Sequence, residues 1–286
     1  MSAIPTFALA LVAALAAVAP PAHAGAPQLR SFSRPDPRGE VRVVAHVRGS
    51  GPLVVLVPSL GRGGSDFADL AARLDAAGFE VASVDPRGLG GSQGPSQGLT
   101  LFDLADDVAM VARGLSPKPA VFLGHAFGNR VVRALASRHP ERVSRLVLLA
   151  AGGQVAMAPE VQAALRDVFV ETLSPQAHLA AVRTAFFAPG NDPAVWRGGW
   201  HPEVARLQRA ADAATPGEAW QGAGAAPMLI VQAADDRVAP PANADLLKAA
   251  HPERVTVVTI PHAGHAMLPE QPDRIAEAVI GYLKAR

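Results

Sequence analysis

No cysteine occurs among the 286 residues. That excludes disulfides, thiolate metal sites, a cysteine nucleophile and lipid attachment through an N-terminal cysteine. Net charge is scarce as well: 26 basic side chains against 25 acidic ones leave a formal +1, which gives no electrostatic case for a nucleic-acid partner or an anionic membrane surface. No Gly-x-Gly-x-x-Gly opens a helix in a dinucleotide context, no P-loop is present and the nine histidines are dispersed, so neither a metal nor an organic cofactor is indicated. Long apolar runs are missing except near the N-terminus. Residues 7–18 are continuously apolar and are followed by Pro20-Pro21 and the small-residue site Ala22-His23-Ala24. The run falls short of the roughly 20 residues that span a bilayer and fits a secretory signal better, although residues 1–6 carry no Lys or Arg. Cleavage after Ala24 would leave a mature chain that begins at Gly25, exported to a periplasm or the exterior and free of the membrane.

What is present suits one α/β domain over residues 25–286. Apolar residues make up 49% and charged ones 18%, and a chain of this length buries one sizeable core. From Glu40 onward strand and helix patterns alternate. Residues 41–47 and 53–57 read as strands joined by a turn at Gly49-Ser50-Gly51, 67–77 as a helix stopped by Gly78, and 80–84 as a strand. Residues 101–115 form an amphipathic helix whose Asp103, Asp106 and Asp107 lie near its N-terminal end; they favour the helix dipole rather than a metal. Further strands are expected at 143–150, 227–232 and 255–260, with a closing helix at 275–283. Their near-continuous apolar character predicts a mostly parallel sheet covered by helices on both faces. Residues 154–224 break the rhythm. Short helices at 159–171, 176–187 and 202–213 alternate with Pro and Gly turns, and Trp196, Trp200 and Trp220 all lie in this stretch. It is expected to form a helical cap over a site, with aromatics that pack a small core of their own.

The most informative five residues are Gly124-His125-Ala126-Phe127-Gly128. They follow an apolar strand segment and precede an amphipathic helix, the strand–turn–helix context of the Gly-x-Ser-x-Gly nucleophile elbow. The serine is replaced by alanine. The flanking glycines fit a strained turn with helix and strand packed closely.

Four further segments appear in a definite order. After the strand ending at Val57 comes Pro58-Ser59-Leu60-Gly61-Arg62-Gly63-Gly64; after the next strand comes Asp85-Pro86-Arg87-Gly88-Leu89-Gly90-Gly91-Ser92. Downstream lie Ala234-Asp235-Asp236-Arg237-Val238-Ala239-Pro240 and Pro261-His262-Ala263-Gly264-His265-Ala266-Met267, followed by Pro269-Glu270. With the elbow, these segments resemble the α/β-hydrolase fold superfamily, in its small cap-bearing branch of esterases, proline iminopeptidases, lactonases and cofactor-free haloperoxidases. The similarity runs from about Val41 to Lys284. It implies a catalytic acid at Asp236, with Asp235 as rival, and a base at His265, with His262 less fitting by position. It implies oxyanion donors at the backbone N–H groups of Leu60 and Phe127. Relatives usually carry His-Gly where Pro58-Ser59 stands, so a glycine is lost from that turn. The Asp85–Ser92 turn, Ser92 included, is structural in relatives. His125 is expected to pack under the elbow, and Ser59 is the one serine that could act as a displaced nucleophile.

Three readings stay open. The chain is a hydrolase of small carboxylic esters or related substrates that lacks its nucleophile at Ala126. Alternatively, an Asp236–His265 dyad works as a general base without a covalent intermediate. Finally, the chain keeps a pocket for a small ligand and catalyses nothing.

Overall fold

A computed structural model describes residues 26–285; the expected signal and its cleavage site lie outside the described residues. The strands are β1 (Gln28–Arg34), β2 (Val41–Arg48), β3 (Leu53–Val57), β4 (Glu80–Val84), β5 (Ala120–His125), β6 (Val143–Leu149), β7 (Met228–Ala233) and β8 (Val255–Ile260). They form one sheet in the order β1-β2-β4-β3-β5-β6-β7-β8. The β1–β2 and β2–β4 pairs are antiparallel and every later pair is parallel. The expected α/β-hydrolase architecture, a mostly parallel sheet flanked by helices, is what the chain adopts.

Helices α1 (Ala68–Ala76), α2 (Leu101–Leu115) and α3 (Phe127–Arg138) join consecutive strands from β3 to β6. Strand side chains alternate between faces, and the core divides accordingly. Val54 and Leu56 of β3 and Leu123 of β5 pack with Leu70 and Leu74 of α1. Val55, Val57 and Phe122 pack on the other face with Val108 of α2 and Val131 of α3. The chain leaves β3 toward β4 on one side and leaves β5 toward β6 on the other. Because β3 and β5 are neighbours, a crevice opens at their carboxyl ends, where open α/β sheets bind ligands.

Two strand relationships were not visible in the sequence. β1 pairs with β2 over seven residues although it is mostly exposed; its backbone ladder, not an apolar face, makes it a strand. Its Phe32 packs where a Cβ on Gly114 would come within 2.5 Å of the ring. β2 and β3 are consecutive in the chain but not neighbours, since β4 lies between them.

The acidic residues of α2 have separate partners. Thr100 and Asp103 form a reciprocal capping box. Asp106 accepts from Arg138 Nε at 3.0 Å and lies 2.6 Å from His139 Nε2. Asp107 is buried and takes two bonds from the buried Arg87, at 2.8 and 3.0 Å, and one from Arg34 at 2.9 Å. The Asp85–Ser92 turn is therefore anchored to α2. Asp85 Oδ1 accepts from Gly64 N–H at 2.9 Å, and Ser92 Oγ donates to the Asp85 carbonyl at 2.9 Å while accepting from Val44 N–H at 2.8 Å. The structural role expected of this turn is the one its contacts describe.

Between β6 and β7 the chain leaves the sheet for α4 (Pro159–Asp167), α5 (Pro175–Phe186) and α6 (Pro202–Ala213), with 3-10 turns at Pro193–Trp196 and Gly217–Ala219. Trp196 and Trp200 pack with Phe186 in a separate small cluster, whereas Trp220 joins the main core beside α3. Helices α7 (Ala242–Ala250), α8 (Met267–Glu270) and α9 (Pro272–Lys284) complete the chain. Among the described residues no helix is long and apolar enough to cross a membrane.

Replacing Asp107 with alanine leaves the buried Arg87 guanidinium without its carboxylate. The expected loss is about 3–5 kcal/mol of unfolding free energy, read from urea midpoints at constant slope. An Arg87→Met/Asp107→Leu double variant should recover most of it.

Candidate active site

β5 ends at His125 and α3 starts at Phe127, which leaves Ala126 alone to turn the chain. Its φ of 50° with ψ of −108° is a conformation L residues rarely adopt, costing on the order of 1–3 kcal/mol. The surroundings hold it there. Ala126 N–H donates to the Leu149 carbonyl at 2.9 Å, Asn129 N–H donates to the Ala126 carbonyl at 3.1 Å, and Asn129 Nδ2 donates to the Ala150 carbonyl at 3.2 Å. The motif glycines serve close approach rather than unusual dihedrals. A Cβ on Gly128 would lie 2.1 Å from the Val57 carbonyl oxygen, and one on Gly124 would lie 2.4 Å from Asn129 N.

That contact seats α3 against the loop leaving β3. The glycine that Pro58-Ser59 lacks is not needed at their positions, because the left-handed residue of this turn is Gly61, with φ of 62°. The loop is fixed from the segment between β6 and β7. Gly61 N–H donates to Gln208 Oε1 at 2.7 Å, and His201 N–H donates to the Gly61 carbonyl at 2.9 Å. Arg62 pairs with Asp66 at 2.7 Å, donates to the Gly198 carbonyl at 2.9 Å and stacks on Trp196 and Trp200, 4.4 and 4.6 Å from the ring centroids. Among the described residues, neither the Leu60 nor the Phe127 N–H has a protein acceptor. Phe127, as the first residue of α3, has no intrahelical one.

The downstream pair converges on the same place. Asp236 and His265 are buried, and His265 Nδ1 lies 2.9 and 3.1 Å from the two Asp236 oxygens. Asp236 Oδ1 also accepts from Val238 and Ala239 N–H, at 2.9 and 2.7 Å. With the ring proton on Nδ1, the carboxylate fixes the tautomer and leaves the Nε2 lone pair free. Asp235 is exposed and contributes a backbone N–H to the Ala263 carbonyl. His262 is exposed too, with φ of 56°, so neither rival stands in the pair.

His125 lies fully buried beneath this arrangement, its Nε2 donating to the His265 carbonyl at 2.9 Å. Burial first, then the neighbouring His265 and Arg62, push its pKa down to about 3. It is therefore a neutral strut. Glu270, which the sequence marks only as part of the Pro269-Glu270 pair after His265, is a second strut. Its oxygens accept from Gly264 N–H at 2.7 Å, Ala188 N–H at 2.8 Å and Asn191 Nδ2 at 2.8 Å, joining the His265 loop to the end of α5. Burial raises its pKa.

Ser59, Leu60, Ala126, Phe127 and His265 line one cavity of about 200 Å³. Ser59 thus shares the cavity with His265, but no hydrogen bond joins them. Phe186, Leu165, Arg209 and Asp212, from α4 to α6, and Arg130 of α3 complete much of its wall. Gln208, Glu270 and the wall residues have no local motif to betray them; only the Pro269-Glu270 pair after His265 carried a hint. Among the described residues no group of three or more His, Cys, Asp or Glu is placed to hold a metal ion.

The sequence profile of the serine aminopeptidase S33 family matches residues 50–272. Over 111 residues the chain is 32% identical to 2-(acetamidomethylene)succinate hydrolase of Mesorhizobium japonicum, a match covering 39% of this chain and only 40% of that protein's length. A longer match, 29% identical over 246 residues, covers 77% of this chain and 87% of a Variovorax paradoxus protein named "Putative carbamate hydrolase RutD". Among solved structures, a thermophilic esterase from Thermogutta terrifontis superposes with a TM-score of 0.75 at 23% identity, over 90% of this chain and 98% of that one, a likeness of fold.

His125 generates a pH prediction. Its folded pKa lies below the unfolded value of 6.5, so between those limits only the unfolded chain takes up the proton. Stability from this group is complete above pH 6.5 and is lost as pH falls toward 3, at up to about 1.4 kcal/mol per pH unit. Urea unfolding between pH 5 and 7 should show that slope reduced by one proton in His125→Asn.

Proposed function

The chain belongs to the serine aminopeptidase S33 family of α/β-hydrolases, and from that premise we propose that it hydrolyses small carboxylic esters or related acyl substrates with water as the nucleophile. The observation that carries this reading is the His265 imidazole. Its Nδ1 is held by Asp236, and its ring lines the cavity beside Ala126. A water in the space a serine hydroxyl would fill gives its proton to Nε2 as its oxygen attacks the acyl carbon. The carbonyl oxygen becomes an oxyanion facing the Leu60 and Phe127 N–H groups. Collapse breaks the bond to the leaving group, which takes the proton back from His265. Asp236 stabilises the imidazolium in between. Relatives named as hydrolases support the reaction class.

A second reading has an observation of its own. The strained elbow at Ala126 is the conformation that presents a serine hydroxyl, and attack by free water does not need it. On that reading the chain is a serine hydrolase without its nucleophile. The proposal extends to export: the N-terminal apolar run predicts a mature protein that begins at Gly25, checked by N-terminal sequencing of a periplasmic or secreted fraction.

Steady-state and burst kinetics with p-nitrophenyl acetate separate these readings. The chain as it stands should turn the ester over slowly, without a burst, and His265→Ala should abolish that turnover. Ala126→Ser should add an acyl-enzyme burst and raise turnover by orders of magnitude, since a triad nucleophile is worth on the order of 10⁶. Activity confined to the serine variant selects the second reading. Turnover that survives His265→Ala overturns the dyad and points to Ser59. No turnover in either form leaves a binding protein.

A further inference from the structure

The cavity wall carries charge that the hydrolytic groups do not use. Arg130, Arg209 and Asp212 are its Arg, Lys, Asp and Glu residues. Arg130 Nη1 is paired with Asp212, which neutralises one cation with the wall's one carboxylate. On the floor, Asp236 is already engaged by His265, Val238 and Ala239. Arg209 is left over.

It is exposed to solvent, yet it lines the cavity. The guanidinium carbon lies 4.8 Å from the Phe169 ring centroid, within cation–π range. Its one hydrogen bond is a marginal 3.5 Å contact from Nη2 to the Leu165 carbonyl. Among the described residues no carboxylate lies within ion-pair distance. Partial burial, and then the like charge of Arg166, lower its pKa. Among the described residues Arg166 has no carboxylate partner either. An incoming carboxylate would set an opposite charge against the Arg166 repulsion and could take two parallel N–H bonds from the fork. The cavity, at about 200 Å³, is below the roughly 300–1,000 Å³ of pockets for drug-sized ligands, so the ligand is small.

We propose that Arg209 binds a free carboxylate on the substrate, so that the preferred substrates are small acyl compounds carrying a second, ionised carboxyl group, such as half-esters of dicarboxylic acids. The inference rests on the hydrolase reading of the same cavity and names its substrate class. The Arg130–Asp212 pair beside Arg209 sets the limit: it keeps the wall at one net positive charge, matched to one anionic group.

Binding, rather than turnover, tests this. Calorimetric titration of the chain as it exists, at low ionic strength, compares monomethyl succinate with dimethyl succinate. The half-ester should bind about tenfold tighter, and the preference should shrink as salt is raised, because Arg209 is exposed to solvent. Arg209→Gln should bring the two affinities within about twofold, and Arg209→Lys, which keeps the charge but loses the fork, should fall between. Equal binding of both esters by the unmodified chain, or a preference that persists in Arg209→Gln, overturns the proposal and leaves the hydrolase reading standing. Failure of both esters to bind overturns the two together.

Discussion

Three stretches of backbone meet at the carboxyl ends of β3, β5 and β6, closer than side chains would allow. Gly128 brings the first turn of α3 onto the Val57 carbonyl, Gly124 lets Asn129 fold back over β5, and Ala126 is tied to Leu149. This contact forces the dihedral strain at Ala126 and also supports it. It sets the Phe127 N–H beside the Leu60 loop, because α3 cannot approach Val57 without carrying its own N-terminus there. A Cβ at position 128 would push the helix off the loop and separate the two donors. The geometry that could hold an oxyanion is a consequence of packing two glycines, and survives without any hydroxyl at position 126.

The segment between β6 and β7 is as much a brace as a cover. Gln208 and His201 hold both hydrogen-bonding groups of Gly61, and Arg62 lies between Asp66 and two tryptophans. On the opposite flank Glu270 ties Gly264 to Ala188, while Ala266 N–H donates to the Phe186 carbonyl at 2.8 Å. Both loops that face the cavity are thus anchored to the same helices that wall it.

The site combines an oriented imidazole with an alanine at the turn between β5 and α3. Asp236 uses its oxygens to orient His265 and to bind two backbone N–H groups, so the imidazole is positioned whether or not a serine stands opposite. His125 holds the His265 carbonyl from below and stays neutral, so it adds no positive charge beside the His265 imidazole. The proposed water mechanism and the proposed Arg209 contact draw on different parts of the cavity. One depends on the floor, the other on the wall, and each has its own measurement.

Much of the sheet was legible in the sequence. β4, β8, α2 and α6 have the bounds their apolar periodicity predicts, and the helix patterns between β6 and β7 differ from the observed helices by a few residues. These elements are local: burial on one or two faces leaves a period of 2 or 3.6 in the chain. The order of motifs likewise pointed to Ala126, Asp236 and His265, because strand ends of one sheet meet at one edge. β1 escaped notice because a strand held by its backbone ladder needs no apolar period. Asp236 and Asp235 are adjacent and chemically identical, and only the fold decides between them, by burying one against His265 and leaving the other exposed. The same holds for the lost glycine of the Leu60 loop, whose turn is made at Gly61, and for Gln208, Glu270 and Arg209. Their partners lie at sequence separations of 147, 82 and 44 residues, and a contact at that distance leaves no spacing in the sequence from which to infer it.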